Sequence, residues 1–176
     1  MIEDDDIVLR ALEPEDVDLL YDWENDMKIW VVSNTLTPFS KYQLKQYIEN
    51  SKLNIYQTKQ LRLIIEVKDK DASFPVGMID LFDFDPFHSR GGVGIIIHSS
   101  YREKGYAKKA LALFLEYCFD YLGLNQLYAN IMVDNIASIS LFESLGFQLS
   151  GTKRDWQKTT TGFVDELFYQ KINTKT

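Results

Sequence analysis

The feature that most restricts the possible folds is a single strand–helix–strand crossover set among short strands joined by short turns. The run GGVGIIIH, residues 91–98, leads through HSSYREKGYAKK into a helix and then into LYANIMV, residues 127–133. In that helix Ala107, Ala110, Leu111, Phe114, Cys118, Tyr121 and Leu122 recur at three- and four-residue spacing, while Lys108, Lys109, Glu116 and Asp120 fall elsewhere. This is the pattern of a helix with one buried face, and a helix connecting two strands of one sheet makes them parallel. The preceding runs LRLIIEV and PVGMIDLF, bounded by the turn-formers KDKDASFP and DPFHSRGG, are antiparallel by their short connections. A parallel pair inside an otherwise antiparallel sheet opens a crevice where the two strands diverge, and ligands favour such places.

The rest of the chain fits around that crossover. The apolar run Ile7–Leu12 reads as a first strand, and Pro14 followed by Glu15 and Asp16 starts a helix predicted to reach about Glu24. Ser40 and Gln43 have capping-box spacing, and Leu44, Tyr47 and Ile48 share a face, so a second helix is predicted to about Ile55. Gly123 closes the long helix, Asn135 to Leu145 forms a shorter one stopped by Gly146, and residues 147–172 form a hairpin turning near Gly162. The predicted order is β, α, α, β, β, β, α, β, α, β, β. With 176 residues, 45% of them hydrophobic, and no repeat or linker, the chain reads as one domain over residues 1–176.

Several function classes are disfavoured at this level. No run approaches the roughly 18 apolar residues needed to cross a bilayer, and MIEDDD is acidic where a secretory leader is basic. A soluble, cytoplasmic protein with no membrane partner is expected. One cysteine, Cys118, cannot form an internal disulfide, and with His88 and His98 it assembles none of the usual zinc spacings, so no metal is expected. A formal charge of -7 opposes the counterion release that drives nucleic-acid binding and leans towards a cationic substrate such as an amine.

Against that balance, residues 101–110 carry Arg102, Lys104, Lys108 and Lys109 against Glu103, a local charge of +3. Unpaired N–H groups and the dipole at a helix start form an anion site; Gly105 lets backbone approach a phosphate, and Ala107 keeps the first turn uncrowded. The alternative is a surface turn whose lysines solvate the helix. The pattern R-x-x-G-x-A, placed after a strand ending in three isoleucines, resembles the coenzyme-A pyrophosphate loop of GNAT acetyltransferases, Q/R-x-x-G-x-G/A. A second signature, N-I-A-S-I-S-L-F-E-S-L-G-F from Asn135 to Phe147, is similar to that family's N-x-x-[SA]-x-x-[LI]-[YF]-E-x-x-G-F. Locally, Asn135 also suits a helix cap, Ile139, Phe142 and Leu145 a core face, and Gly146 a C-cap.

The resemblance spans about Ile7 to Ile172 and is nearest to the branch holding spermidine N-acetyltransferases and the enzymes that acetylate ribosomal-protein N-termini. It implies a single α+β GNAT domain over residues 1–176, with a mixed, mostly antiparallel sheet of about seven strands and about four flanking helices. It implies acetyl-CoA as cosubstrate and transfer of its acetyl group to a primary amine, a polyamine-like small molecule or a protein N-terminus, by direct attack in a ternary complex. The backbone of Ile95, Ile96 and Ile97 is then expected to pair with the pantetheine like an added strand. Arg102, Glu103, Lys104, Gly105, Tyr106, Ala107 and Lys108 are expected to hold the pyrophosphate, and Asn135, Ser138 and Phe142 to lie along the pantetheine and its sulfur. A homo-oligomer is compatible with it. The stretch GGVG, residues 91–94, is not a dinucleotide fingerprint, because the third glycine of G-x-G-x-x-G is replaced by Ile97.

The chain departs from the family at two chemical positions. Where many relatives carry a proton-donating tyrosine stands Phe142, and where many carry a carboxylate early in the strand stand Gly91 and Gly92. No catalytic residue is therefore assigned. Asp80 and Asp83 are the substrate-side candidates, with solvated edge residues as the alternative for each. Three positions apart, they point to opposite sides of a regular strand. His88 reads as a surface histidine and His98 as packing beside the loop, while Ser138 and Ser140 lie near the sulfur or on the helix surface. The loss of both chemical groups keeps open a non-catalytic GNAT-fold module that binds acyl-CoA or an amine.

Overall fold

The computed structural model describes residues 2–33, 35–69 and 72–174. The chain opens with β1 (Ile2–Glu3) and β2 (Ile7–Arg10). A 3-10 turn at Pro14–Asp16 continues into α1 (Val17–Glu24), followed by α2 (Met27–Ser33), α3 (Lys41–Asn50) and α4 (Ile55–Thr58). Three long strands come next, β3 (Leu61–Asp69), β4 (Ala72–Asp85) and β5 (Arg90–Ile97). The helix α5 (Tyr106–Glu116) crosses to β6 (Gln126–Met132), and α6 (Ile136–Ser144) precedes the hairpin β7 (Gln148–Thr159) and β8 (Gly162–Ile172). The architecture is the expected α+β one, and the strands form one eight-stranded sheet in the order β1-β2-β3-β4-β5-β6-β8-β7. All neighbours are antiparallel except β5 and β6, the pair joined by the crossover.

Among the described residues, eight strands and six α-helices stand where about seven and about four were expected, because β1, α2 and α4 are additions, and the details differ for local reasons. The second helix stops at Asn50 and not near Ile55, because Asn54 begins a new helix: its side chain accepts from the N–H groups of Tyr56 and Gln57 at 3.0 and 3.1 Å. The helix α2 was not expected; Trp30 helps hold it by donating its indole N–H to the Glu24 carbonyl at 2.7 Å. The long helix runs to Tyr121 before Gly123, as its spacing predicts, but its last stretch, Tyr117–Tyr121, is a π turn in which the Leu122 N–H donates to the Tyr117 carbonyl at 3.0 Å. That turn keeps Cys118 fully buried, and burial holds its thiol well above the usual range. Of the predicted KDKDASFP turn, Lys70 and Asp71 lie outside the described residues.

Two apolar layers cover the two faces of the sheet. On one, α5 and α6 place Ala110, Leu111, Phe114 and Phe142 against Ile65, Ile79, Leu81, Leu127, Ala129 and Tyr169. On the other, α1 and α3 place Leu20, Trp23, Leu44 and Ile48 over Ile64 and Met78. These alternating positions of β4 settle which face each strand residue meets: Ile79 and Leu81 face α5, while Met78, Asp80 and Phe82 face the α1 side. The helices α1 and α3 pack over the β3–β4 part of their face. No helix among the described residues is long and apolar enough to cross a membrane.

Candidate active site

The crossover pair separates almost as soon as it forms. Between β5 and β6 the paired residues are Arg90 with Gln126, Gly91 with Leu127 and Gly92 with Tyr128, and pairing then ends. On its other edge β5 stays bound to β4 to the end, Ile95 opposite Ile79, Ile96 opposite Met78 and Ile97 opposite Gly77. The His98 N–H donates to the Val76 carbonyl at 2.9 Å, so by the alternation of an antiparallel ladder the polar groups of Gly94 and Ile96 also face β4. Those of Val93, Ile95 and Ile97 face the gap. The Ile97 carbonyl is occupied there by Arg102 Nε at 3.0 Å, and the backbone of Ile95 borders an open crevice.

Because β5 and β6 run the same way, the helices that follow them present their N-termini on the two sides of that crevice. Gly105 caps α5 with φ 80° and ψ -2°, and Glu103 before it has φ 63°, so the loop carries two left-handed residues. The first intrahelical bond runs from the Lys109 N–H to the Gly105 carbonyl at 3.2 Å, which leaves the N–H groups of Tyr106, Ala107 and Lys108 pointing out of the helix end. A Cβ at Gly105 would meet no atom within 4 Å, so the cap itself is uncrowded. The local cations differ in their commitments. Lys109 is ion-paired with Asp6, Lys104 sits 5.6 Å from the Tyr101 ring, Arg102 holds Ile97, and Lys108 is exposed.

On the other side, the Asn135 side chain accepts from the Ser138 N–H at 3.2 Å and so caps α6. Phe142 is 3% exposed and stands edge-on to Phe147, ring centroids 4.9 Å apart. Its environment is packing, with no hydroxyl to deliver a proton. The glycines at the missing carboxylate position are explained by a neighbour: a Cβ at Gly92 would lie 2.2 Å from the Phe82 ring, which covers the strand there. Gly92→Ala is accordingly expected to lower the unfolding free energy by about 1–3 kcal/mol, the usual range for overpacking. Gly94→Ala, whose Cβ would meet Phe82 at 3.8 Å, is the mild control; equal urea midpoints for the two variants would show that Phe82 yields freely.

The two candidate aspartates turn out differently from the strand rule. A bulge between Phe82 and Asp85 interrupts the β4–β5 ladder, and Asp83 within it has φ 49°. The bulge brings Asp83 round to the same face as Asp80, where its Oδ2 accepts from the Tyr128 hydroxyl at 3.1 Å. The expectation that the pair faces opposite sides is therefore corrected. Asp80 is committed: both its oxygens accept from Arg62, at 2.7 and 2.8 Å, and Arg62 also binds Glu24 of α1. His88 stays in the exposed turn and binds Asp85, and that hydrogen bonding lowers the Asp85 carboxyl to about 2. His98 stacks on Trp23 at 5.8 Å, as packing beside the loop, and Ser140 is exposed.

Tyr128 was not singled out from the sequence. Its signal was available in the alternation of LYANIMV, where Leu127, Ala129 and Ile131 are buried under the helices and Tyr128 and Asn130 must face the other way. Burial, with Asp83 beside it, pushes the Tyr128 hydroxyl up to about 12, so it remains a proton donor. Around this pair lies a polar crevice of about 540 Å3 on the open sheet face, its walls including Asp83, Asp85, Arg90, Tyr128, Asn130 and Lys153.

Comparison with known proteins bears on the same features. The family model described as the acetyltransferase (GNAT) domain matches residues 6–148. An uncharacterized N-acetyltransferase, p20, of Bacillus licheniformis is 29% identical over 167 residues, 94% of this chain and 92% of that protein. The spermidine N(1)-acetyltransferase of Escherichia coli K12 is 28% identical over 151 residues, 82% of this chain and 74% of that protein. Among solved structures, the spermidine N-acetyltransferase of Vibrio cholerae in complex with CoA and spermine superposes with a TM-score of 0.86 at 22% identity, covering 96% of both chains.

Proposed function

The chain belongs to the GNAT acetyltransferase family, and from that premise we propose that it moves the acetyl group of acetyl-CoA to a primary amine by direct attack in a ternary complex. The observation that carries this reading is the gap left where β5 parts from β6 after Gly92, bordered by outward-facing backbone at Ile95 and Ile97 and ending on the open N-terminus of α5. Such a gap suits an extended arm with amide groups, and the free N–H groups of Tyr106, Ala107 and Lys108 suit a pyrophosphate. In this reading Ile95 and Ile97 turn backbone groups to the pantetheine with Asn135 and Ser138 opposite, while Ile96, expected to pair as well, has its polar groups on the β4 side. Arg102, Glu103, Lys104 and Gly105 shape the phosphate loop, and the whole of residues 1–176 acts as one catalytic domain.

The chemistry asks little of individual side chains. An alkylammonium has a pKa near 10 and must lose a proton before its nitrogen attacks the thioester carbonyl. The negative charge that develops on the carbonyl oxygen is met by backbone N–H donors facing the gap. The departing thiolate, with a thiol pKa near 8.5, leaves without an obligatory acid, which is consistent with Phe142 in place of a donor. A second reading, a module that binds acyl-CoA or an amine without turnover, is favoured by the apolar Phe142 and by the Phe82 ring over Gly92.

One experiment separates the two: acetyl-CoA incubated with polyamines, amino acids, aminoglycosides and N-terminal peptides, with product read by mass. Acetylated product supports transfer, and cofactor binding without product across the panel supports the module. Both readings expect CoA to stabilise the native state, by about 2.7 kcal/mol at 100 times its dissociation constant, as a shift in Tm. NAD and ATP should give no comparable shift. An unchanged Tm in millimolar CoA sinks both.

A further inference from the structure

We propose that the crevice on the open sheet face is the acceptor pocket, that Asp83 receives the acceptor's ammonium there and takes its proton, and that the pocket takes an acceptor with one ammonium beside a neutral or anionic remainder. The inference rests on the acetyl-transfer reading above and narrows it. Three observations carry it. The crevice reaches the place where the crossover pair parts: it runs along the paired stretch from Arg90 and Gln126 to Tyr128, the last β6 residue paired with β5, and on to Asn130, two residues into the diverging stretch. A group held there lies beside the neck of the gap. Asp83 is aimed into this place by a bulge and by a left-handed backbone conformation, φ 49°, that only a minority of residues other than glycine adopt and that Asp and Asn tolerate best. Conformational strain of that kind persists where the surroundings enforce it and clusters at functional sites.

The third observation is the local charge. Each ionised group around the crevice except one has an oppositely charged neighbour. Asp85 meets Arg90 at 3.3 Å, and Lys153 of β7 meets Glu166 of β8 at 2.8 Å. Farther along the same face, Asp80 and Glu24 share one guanidinium, that of Arg62. Asp83 alone has a neutral partner, the Tyr128 hydroxyl on its Oδ2, and no cation pairs with it among the described residues. The site therefore offers one uncompensated carboxylate, which suits one ammonium. The further charges of a polycation would meet only carboxylates already paired, Asp85 with Arg90 and Glu166 with Lys153, whereas a neutral or anionic remainder leaves those pairs intact.

The ammonium hydrogen-bonds to the Asp83 carboxylate and gives it one proton, which passes on to water. The freed nitrogen lone pair forms the N–C bond at the thioester carbonyl. As the C–S bond breaks, the sulfur leaves with its electron pair, and the second proton of the attacking nitrogen reaches that sulfur through water, giving the amide and the CoA thiol. Tyr128 is a positioning residue: its hydroxyl holds Oδ2 and leaves Oδ1 for the ammonium.

The test measures kcat/KM on the full chain with an amino acid amide, an N-terminal peptide and spermidine. In parallel, calorimetry follows binding of the same amines to the CoA-loaded protein. The parent should favour the single-ammonium acceptors over spermidine by tenfold or more. Asp83→Asn, which keeps a residue suited to φ 49°, should lower kcat/KM by about 10²-fold, at the low end of acid–base catalysis, and weaken amine binding about tenfold. Its CoA-induced Tm shift should stay at the parental value. Tyr128→Phe should cause a smaller loss in the parent and none in the Asp83→Asn background, a coupling that a merely structural tyrosine would not show. Parental kcat/KM and amine affinity in Asp83→Asn overturn the proposal, as does a preference for spermidine. Amine binding that depends on Asp83 without turnover keeps the pocket and overturns acetyl transfer; neither binding nor turnover overturns both.

Discussion

Replacing Arg62 with alanine is expected to lower the unfolding free energy by about 3–5 kcal/mol, the usual result of removing one member of a buried ion pair. The Arg62 guanidinium grips Asp80 with two hydrogen bonds of 2.7 and 2.8 Å, reaches Glu24 with a third, and lies over the Tyr47 ring at 5.4 Å. Its side chain is 19% exposed and that of Glu24 8%. Burial alone would lower the guanidinium's pKa, yet the surrounding carboxylates hold it above its usual range. Alanine leaves Glu24 and Asp80 facing each other without a counter-charge, so the loss reflects two stranded carboxylates more than one missing contact. Adding Glu24→Gln and Asp80→Asn to the Arg62→Ala chain should recover a large part of it. The measurement is the urea midpoint at constant m, and a loss below about 1 kcal/mol would mean that water screens the network. The same network ties α1 to β3 and β4 and engages both oxygens of Asp80, whereas Asp83 is held only by the Tyr128 hydroxyl.

Much of this was legible in the sequence where the signal is local and periodic. The Ser40–Gln43 cap is present, with Gln43 N–H donating to Ser40 at 3.1 Å, and the three-residue spacing of Ile139, Phe142 and Leu145 does mark the apolar face of α6. The crossover, the parallel pair and the closing hairpin follow from connection lengths and turn residues. What was not legible depends on long-range partners. Nothing in VGMIDLFDFD announces a bulge at Asp83, because the bulge is defined against β5, and counting by two from Asp80 then assigns Asp83 to the wrong face. Nor does the sequence show that Arg62, 18 residues before Asp80, consumes that carboxylate. The glycines at 91 and 92 read as missing chemistry, whereas at Gly92 the absent side chain makes room for Phe82.

Gly105→Val should weaken CoA binding about 10²-fold, the equivalent of one strong charge-assisted hydrogen bond or two weaker ones. A Cβ at position 105 meets nothing within 4 Å, so bulk alone does not block the fold; the φ of 80° is what valine resists, because a branched side chain is strained in the left-handed region. The free protein thus loses only about 1–2 kcal/mol of stability if the loop holds, and less if it rearranges. Rearrangement is the damaging outcome for function, since it turns the N–H groups of Tyr106, Ala107 and Lys108 away from a common point. Gly105→Asn separates conformation from bulk: asparagine is as large as a blocking residue needs to be, yet it tolerates the left-handed region, so it should keep most of the affinity. Lys109→Ala should change CoA affinity less than about threefold, because Lys109 is engaged with Asp6 and any surface charge lost there is screened. Titration of CoA against the three variants decides the matter. Equal affinity in parent and valine variant, with the fold intact, places the phosphate site away from the start of α5 and removes the main support for reading this loop as the cofactor's anchor.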